Sequence, residues 1–112
     1  VAGSVKRGDI VTVAIQGDYG KPRPAVVIQS DTLSESESVL IVPFTSTLRD
    51  VPFYRLVLEP TERNGLKATS QIMVDKIAPC PRSKCGPTIG RLSSEDMLTL
   101  STMLSVMIGL AD

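Results

Sequence analysis

The chain has no histidine and no tryptophan, and its aromatic complement is two phenylalanines and two tyrosines. The missing histidine removes the commonest general base, so neither a Ser-His-Asp nor a Cys-His arrangement can be built. It also narrows metal binding. The two cysteines, in CPRSKC at 80–85, have no zinc spacing and nothing to complete a four-ligand site, so no metal and no cofactor is expected. GDYGKP lacks the spacing and the following helix of a phosphate-binding glycine loop. Net charge is absent too, since 12 basic and 12 acidic side chains cancel. The global basic field common in nucleic-acid binders is missing, although a local basic cleft needs no such excess. No apolar run reaches membrane-spanning length. The first residues lack the charged-then-apolar pattern of a secretory signal. Two thiols in a reducing compartment suit the short CPRSKC loop better than a disulfide. A cytoplasmic protein with no membrane partner is the expectation.

What is present suits one small globular domain. The sequence runs to 112 residues with 42% apolar side chains, enough for a modest core without staples. The whole of 1–112 reads as a single domain. VAGS at 1–4, native or an expression remnant and expected to be disordered, carries no functional weight.

Most of the chain reads as strands broken by Gly, Pro, Asp and Ser. GDIVTVAI at 8–15 alternates, and PAVVIQS at 24–30 is a β-branched run suited to a central strand. DTLSESES at 31–38 is an exposed connection. VLIVPFT at 39–45 is the next strand, expected to end or bulge at Pro43, which has no backbone donor. FYRLVLEP at 53–60 alternates again, Asn64-Gly65 signals a turn, and ATSQIMVDKIAP at 68–79 reads as one strand. CPRSKCGP is a loop and TIGRL a short strand. Over 93–110 the period changes: Met97, Leu100, Leu104 and Met107, flanked by Met103 and Leu110, form one helix face. Ser93 with Asp96 three residues on resembles a capping box. The predicted fold is mainly β: a small, strongly bent antiparallel sheet closing toward a barrel, with one C-terminal helix packed on it.

The informative polar residues sit at strand ends. In KPRPAVVIQSD, Arg23 lies between two prolines that hold the backbone extended as it enters an apolar strand. A guanidinium there suits a phosphate, to which it donates two parallel hydrogen bonds, and equally suits a surface salt bridge. Thr45, Ser46 and Thr47 follow a buried strand. They can donate to phosphate oxygens or a ribose hydroxyl, or cap their own turn. Asp75, flanked by strand residues, can orient Arg23, accept a proton, or simply face solvent. Cys80 and Cys85 lie near Arg82 and Lys84, which can lower a thiol pKa; inert loop thiols are the plainer reading.

The order of motifs is what carries a resemblance. VKRGDIVTV, KPRPAVVIQSD, VLIVPFTST, a strand carrying Asp75 and a C-terminal amphipathic helix together resemble the MazF/PemK family of bacterial toxins, from about Val5 to the chain end. The resemblance implies an SH3-like barrel of the CcdB/Kid/MazF type and a homodimer. It implies a metal-independent, sequence-selective endoribonuclease acting on single-stranded RNA, chiefly messenger RNA. A cognate antitoxin would inhibit it, and operator DNA would be bound only as the toxin–antitoxin complex. The family's catalytic arginine falls on Arg23 and its catalytic threonine on Thr45, with Ser46 adjoining. Asp75 matches an aspartate some members use, but the arginine two residues before it is replaced by Met73. Products would be a 2′,3′-cyclic phosphate and a 5′-hydroxyl. The first loop, with Asp18, Tyr19 and Lys21, would cover the RNA, with Tyr19 placed to stack on a base. Thr47, Arg49, Arg55 and Lys76 would line the phosphate track.

Two other classes compete. CcdB-type toxins share the fold and poison DNA gyrase by protein binding, an activity that goes with a tryptophan-containing tail; this chain has no tryptophan and ends MIGLAD. An SH3-like peptide-binding module would need an aromatic-lined groove, which four aromatic residues supply poorly.

Overall fold

The computed structural model describes residues 5–14 and 21–112. Among these, seven strands form one curled antiparallel sheet: β1 Asp9–Ala14, β2 Pro22–Val27, β3 Ser38–Thr45, β4 Arg55–Leu58, β5 Ser70–Met73, β6 Ala78–Pro81 and β7 Thr88–Arg91. The order across the sheet is β4-β5-β3-β2-β1-β7, with β6 also paired to β3. One helix, α1 Ser94–Met107, closes the chain. The mainly β reading with a C-terminal helix therefore holds.

Alternation along the strands divides the apolar side chains between two cores. Ile10, Val26, Val42, Phe44, Ile72 and Leu100 belong to the larger, which the helix covers. Val11, Val13, Ala25, Val27, Val39 and Ile41 belong to the smaller, on the opposite face, together with Cys80. Burying both faces gives β2 and β3 near-continuous apolar runs rather than a polar alternation.

The R-G-D of the opening motif is structural. Arg7 donates through Nη1 to the Ile28 carbonyl and through Nη2 to Ser101 Oγ, at 2.7 Å, so one guanidinium ties the helix to the end of β2. Asp9, 7% exposed, accepts from Lys6 N at 2.9 Å and pairs with Arg91 at 2.5 Å. Ser93 caps α1 as expected, its Oγ accepting from Asp96 N at 3.0 Å. Leu100 is fully buried, and Met97, Met103, Leu104 and Met107 pack against the larger core. Leu110 does not join that face: the helix stops at Met107, Gly109 turns with φ of 80°, and Leu110 is exposed.

Two expectations for the sheet need correction. The predicted strand over 68–79 is split. Between the pairs Ile41↔Ala78 and Phe44↔Ile72, β3 advances three residues while the opposing chain covers six. The excess folds into a turn closed by Lys76 N donating to Met73 O at 3.0 Å. Asp75 is therefore an exposed turn residue, not a strand residue. The second half, β6, runs into what reads as loop and takes in Cys80 and Pro81. Strand β3, conversely, continues through Pro43. Ile28 N donates to Leu40 O, so even-numbered residues of β3 direct their backbone groups toward β2 and odd-numbered ones away. The donor that Pro43 lacks would point to the side where β3 passes from β6 to β5, where no ladder bond is lost.

Candidate active site

The same parity argument explains PRP. Val27 O accepts from Gly8 N, on the β1 side, whereas Ile28 N donates toward β3. Pro22 and Pro24 therefore turn their missing donors toward β3, where pairing begins only at Ala25. Both prolines thus fit inside β2 rather than ahead of it, and Arg23 pairs with Val13 between them. The two ring faces line a cavity of about 370 Å³ with Thr12, Leu66, Ser70 and Ile89. Arg23 is directed to the opposite face, that of Val13, Ala25 and Val27, and is exposed.

Thr45, 22 residues away, belongs to the same face. The β2–β3 ladder runs Val27↔Ile41, Val26↔Val42, Ala25↔Pro43. The ladder ends at Ala25↔Pro43, so Arg23 and Thr45 lie two residues beyond its last pair, on the strand ends that leave it. Thr45 Oγ1 accepts from Thr47 N at 3.1 Å. That bond uses a hydroxyl lone pair and leaves the O–H proton available to an acceptor outside the turn. Ser46, Thr47 and Arg49 are exposed in the segment that follows. A second cavity of about 250 Å³ opens on this face, lined by Val13, Ile41, Ala78 and Cys80, with Lys84 among its walls.

Other expected residues fall around this end of the sheet. The turn carrying Asp75 and Lys76, both exposed, lies beside Val42 and Pro43 of β3. Arg55 is half-buried on β4, paired with Met73. Its Nη1 is 3.5 Å from Gln71 Oε1, and its buried Nε has no hydrogen-bond partner among the described residues. Lys21 is exposed at the start of β2. Asp18 and Tyr19 lie outside the described residues. Gln71 was not anticipated: it is 3% exposed and bonds both backbone groups of Arg49. The only hint in the sequence is an amide interrupting the apolar strand.

Cys80 and Cys85 are free thiols with Sγ atoms 3.7 Å apart. Burial, the hydrogen bond with Cys80 and the charge Cys80 can carry push the Cys85 thiol up from 9.0 to about 11, with Arg82 opposing weakly. This is the environment of an inert thiol, not of a nucleophile. Among the described residues, no three His, Cys, Asp or Glu side chains gather as metal ligands. No described helix is long and apolar enough to cross a membrane.

The sequence profile described as "PemK-like, MazF-like toxin of type II toxin-antitoxin system" matches residues 6–108, nearly the whole chain. The chain belongs to this PemK/MazF-like toxin family. A curated relative, described as a probable endoribonuclease MazF of Mycolicibacterium smegmatis, is 43% identical over 108 residues, covering 96% of this chain and 99% of its own. Among solved structures, an endoribonuclease from a mycobacterial species in complex with its cognate antitoxin superposes with a TM-score of 0.81 at 20% identity, covering 96% of this chain and 97% of that one. Mycobacterium tuberculosis toxin MazF-mt6 gives 0.77 at 20% identity over 90% and 96% of the two chains. A MazE–MazF structure from Deinococcus radiodurans gives 0.76 at 17% identity over 94% and 96%. At these identities the superpositions establish the fold, a curled half-barrel with a C-terminal helix.

Proposed function

We propose that this PemK/MazF-like protein is an endoribonuclease toxin that cuts single-stranded RNA at a short recognised sequence, with Arg23 and Thr45 as its central catalytic pair. The single observation behind the pair is their placement: different strands, one face, and each two residues beyond the last β2–β3 pair, Ala25↔Pro43. The 43% identical relative described as a probable endoribonuclease supports the activity.

RNA supplies its own nucleophile, the ribose 2′-hydroxyl. Its oxygen attacks the adjacent phosphorus, the bond to the 5′-oxygen breaks, and the products are a 2′,3′-cyclic phosphate and a 5′-hydroxyl. The attacking hydroxyl gives up one proton and the leaving oxygen gains one. Charge accumulates on the phosphoryl oxygens in between, so a fixed guanidinium is worth most in the transition state. Arg23 provides that charge, held extended by Pro22 and Pro24. Thr45 donates its free O–H proton to the same phosphate, with Ser46 beside it. An arginine, protonated up to a pKa above about 12, cannot take the 2′-proton. Asp75 or solvent water receives it. Because the nucleophile is already tethered to the phosphate and the anion is met by a guanidinium, the reaction needs no metal. Lys21, Thr47, Arg49, Arg55 and Lys76 lie along the strand's phosphates. In this reading the toxin works as a cytoplasmic homodimer, is silenced by a cognate antitoxin, and meets operator DNA only within that complex. The mycobacterial and Deinococcus complexes support the antitoxin partnership.

The test is incubation of a long single-stranded RNA with the protein in EDTA, with ends mapped chemically. Cuts at a recurring short sequence with cyclic phosphate ends are expected, and Arg23→Ala or Thr45→Ala should each slow them by about 10²-fold or more. Intact RNA, or cutting unaffected by both substitutions in folded protein, refutes the proposal.

A further inference from the structure

We infer that Gln71 is a positioning residue that holds the Thr45–Arg49 segment in its working geometry, an inference that rests on the ribonuclease reading of this site. Gln71 is directly paired with Thr45 across β3 and β5, and with Val57 on β4. The row Thr45–Gln71–Val57 therefore shares one face, opposite Phe44 and Ile72 in the larger core. An amide in the middle of such a row would normally face water, yet Gln71 is 3% exposed because the segment after Thr45 folds back over it.

The contacts explain how. Gln71 Oε1 accepts from Arg49 N at 3.0 Å, and Gln71 Nε2 donates to Arg49 O at 2.7 Å. One side-chain amide thus satisfies both backbone groups of a single residue, as a neighbouring strand would. The segment from Thr45 to Arg49 is then fixed at both ends: by β3 and the Thr45–Thr47 bond at one, and by the amide at the other. Arg55 Nη1 approaches the same Oε1 at 3.5 Å, placing a second guanidinium beside the anchor. Removing the amide would leave Arg49 N–H and C=O without these partners and free the segment to lift off the sheet. Ground-state RNA contacts tolerate such play, but alignment of a hydroxyl on a transition-state phosphate does not, and a displacement near 1 Å can cost about 10²-fold in rate.

The experiment compares Gln71→Met, which keeps shape and removes both hydrogen bonds, with Gln71→Glu, which keeps the acceptor and removes the donor. Each is placed in wild-type and Thr45→Ala backgrounds. Gln71→Met should lower kcat about 30-fold with KM within about two-fold, Gln71→Glu should lose less, and Gln71→Met should cost under about three-fold once Thr45 is already Ala. Arg49 amide hydrogen exchange should accelerate in Gln71→Met and stay slow in Thr45→Ala. Equal losses in both backgrounds would mark a merely structural role and overturn the inference, as would unchanged Arg49 exchange. If Gln71→Met does not fold, Gln71→Glu carries the same comparison. Wild-type protein that leaves RNA intact refutes the nuclease reading instead, while Arg49 exchange still reports on the clamp.

Discussion

Asn64→Ala should strip out the most concentrated set of polar contacts in the described chain segment beneath the PRP strand. Asn64 is 5% exposed. Its Oδ1 accepts from Thr61 N at 2.9 Å and Leu66 N at 3.0 Å, and its Nδ2 donates to Glu59 O at 2.8 Å. One side chain therefore knots residues 59–66 into a closed turn. The next residue, Gly65, has φ of 67°, and a Cβ there would fall 2.0 Å from Ile89 O, so the knot lies tight against β7. Each buried group left without a partner costs about 1–3 kcal/mol. Leu66 N is buried and belongs to the upper half of that range. Thr61 and Glu59 are exposed residues whose backbone groups water can reach, so they belong to the lower end. The sum is about 4 kcal/mol, a large part of the roughly 5–15 kcal/mol that stabilises a domain. In urea, with a slope of about 1.5 kcal/mol/M, the midpoint should fall by about 2.5 M. Asn64→Asp keeps both acceptor bonds and should fall by about 1 kcal/mol only. Gly65 and Leu66 line the cavity against Pro22 and Pro24, so the Ala variant should also loosen the support of Arg23. A midpoint drop below about 0.5 M for Asn64→Ala would refute the knot as a stabilising unit.

Asp75→Asn tests the proton acceptor. Asp75 sits exposed in a turn beside β3, with Met73 rather than a guanidinium two residues earlier, so the cleavage rate should stay within about three-fold and the proton should pass to water; a loss of 10²-fold would make Asp75 the base. Cys85 should react slowly with iodoacetamide: with its pKa raised from 9.0 to about 11, its thiolate fraction near pH 8 falls about 10²-fold below that of a free thiol. Because the folded thiol holds its proton more tightly than the unfolded one, its contribution to stability is present below pH 9.0 and fades as pH rises toward about 11. Peptide mapping of alkylation against pH and urea melts at pH 8 and 11 check both; labelling of Cys85 as fast as a free thiol at pH 8 would contradict them.

The Asn-Gly dipeptide placed the turn and the helical period the capped helix, while alternation placed the strands within a few residues. Its misses share a cause. The break at 74–77 and the extension of β6 into CPRSKC depend on where β3 changes partners, which local periodicity does not encode. Leu110 fits the helical period, but the helix had already ended ahead of the Gly109 turn.

By itself the sequence determined which chemistry was available. Without histidine, and with a guanidinium held between prolines and hydroxyls at a strand end, anion stabilisation was open and imidazole catalysis was not. Tertiary structure alone decided which of those groups share a face. Arg23 and Thr45 project from the same face because the strand registers fix their parity, and Gln71 is buried because the segment after β3 folds back onto it. Side-chain type is a property of one position, whereas register and burial arise from pairing energies between segments far apart in the chain.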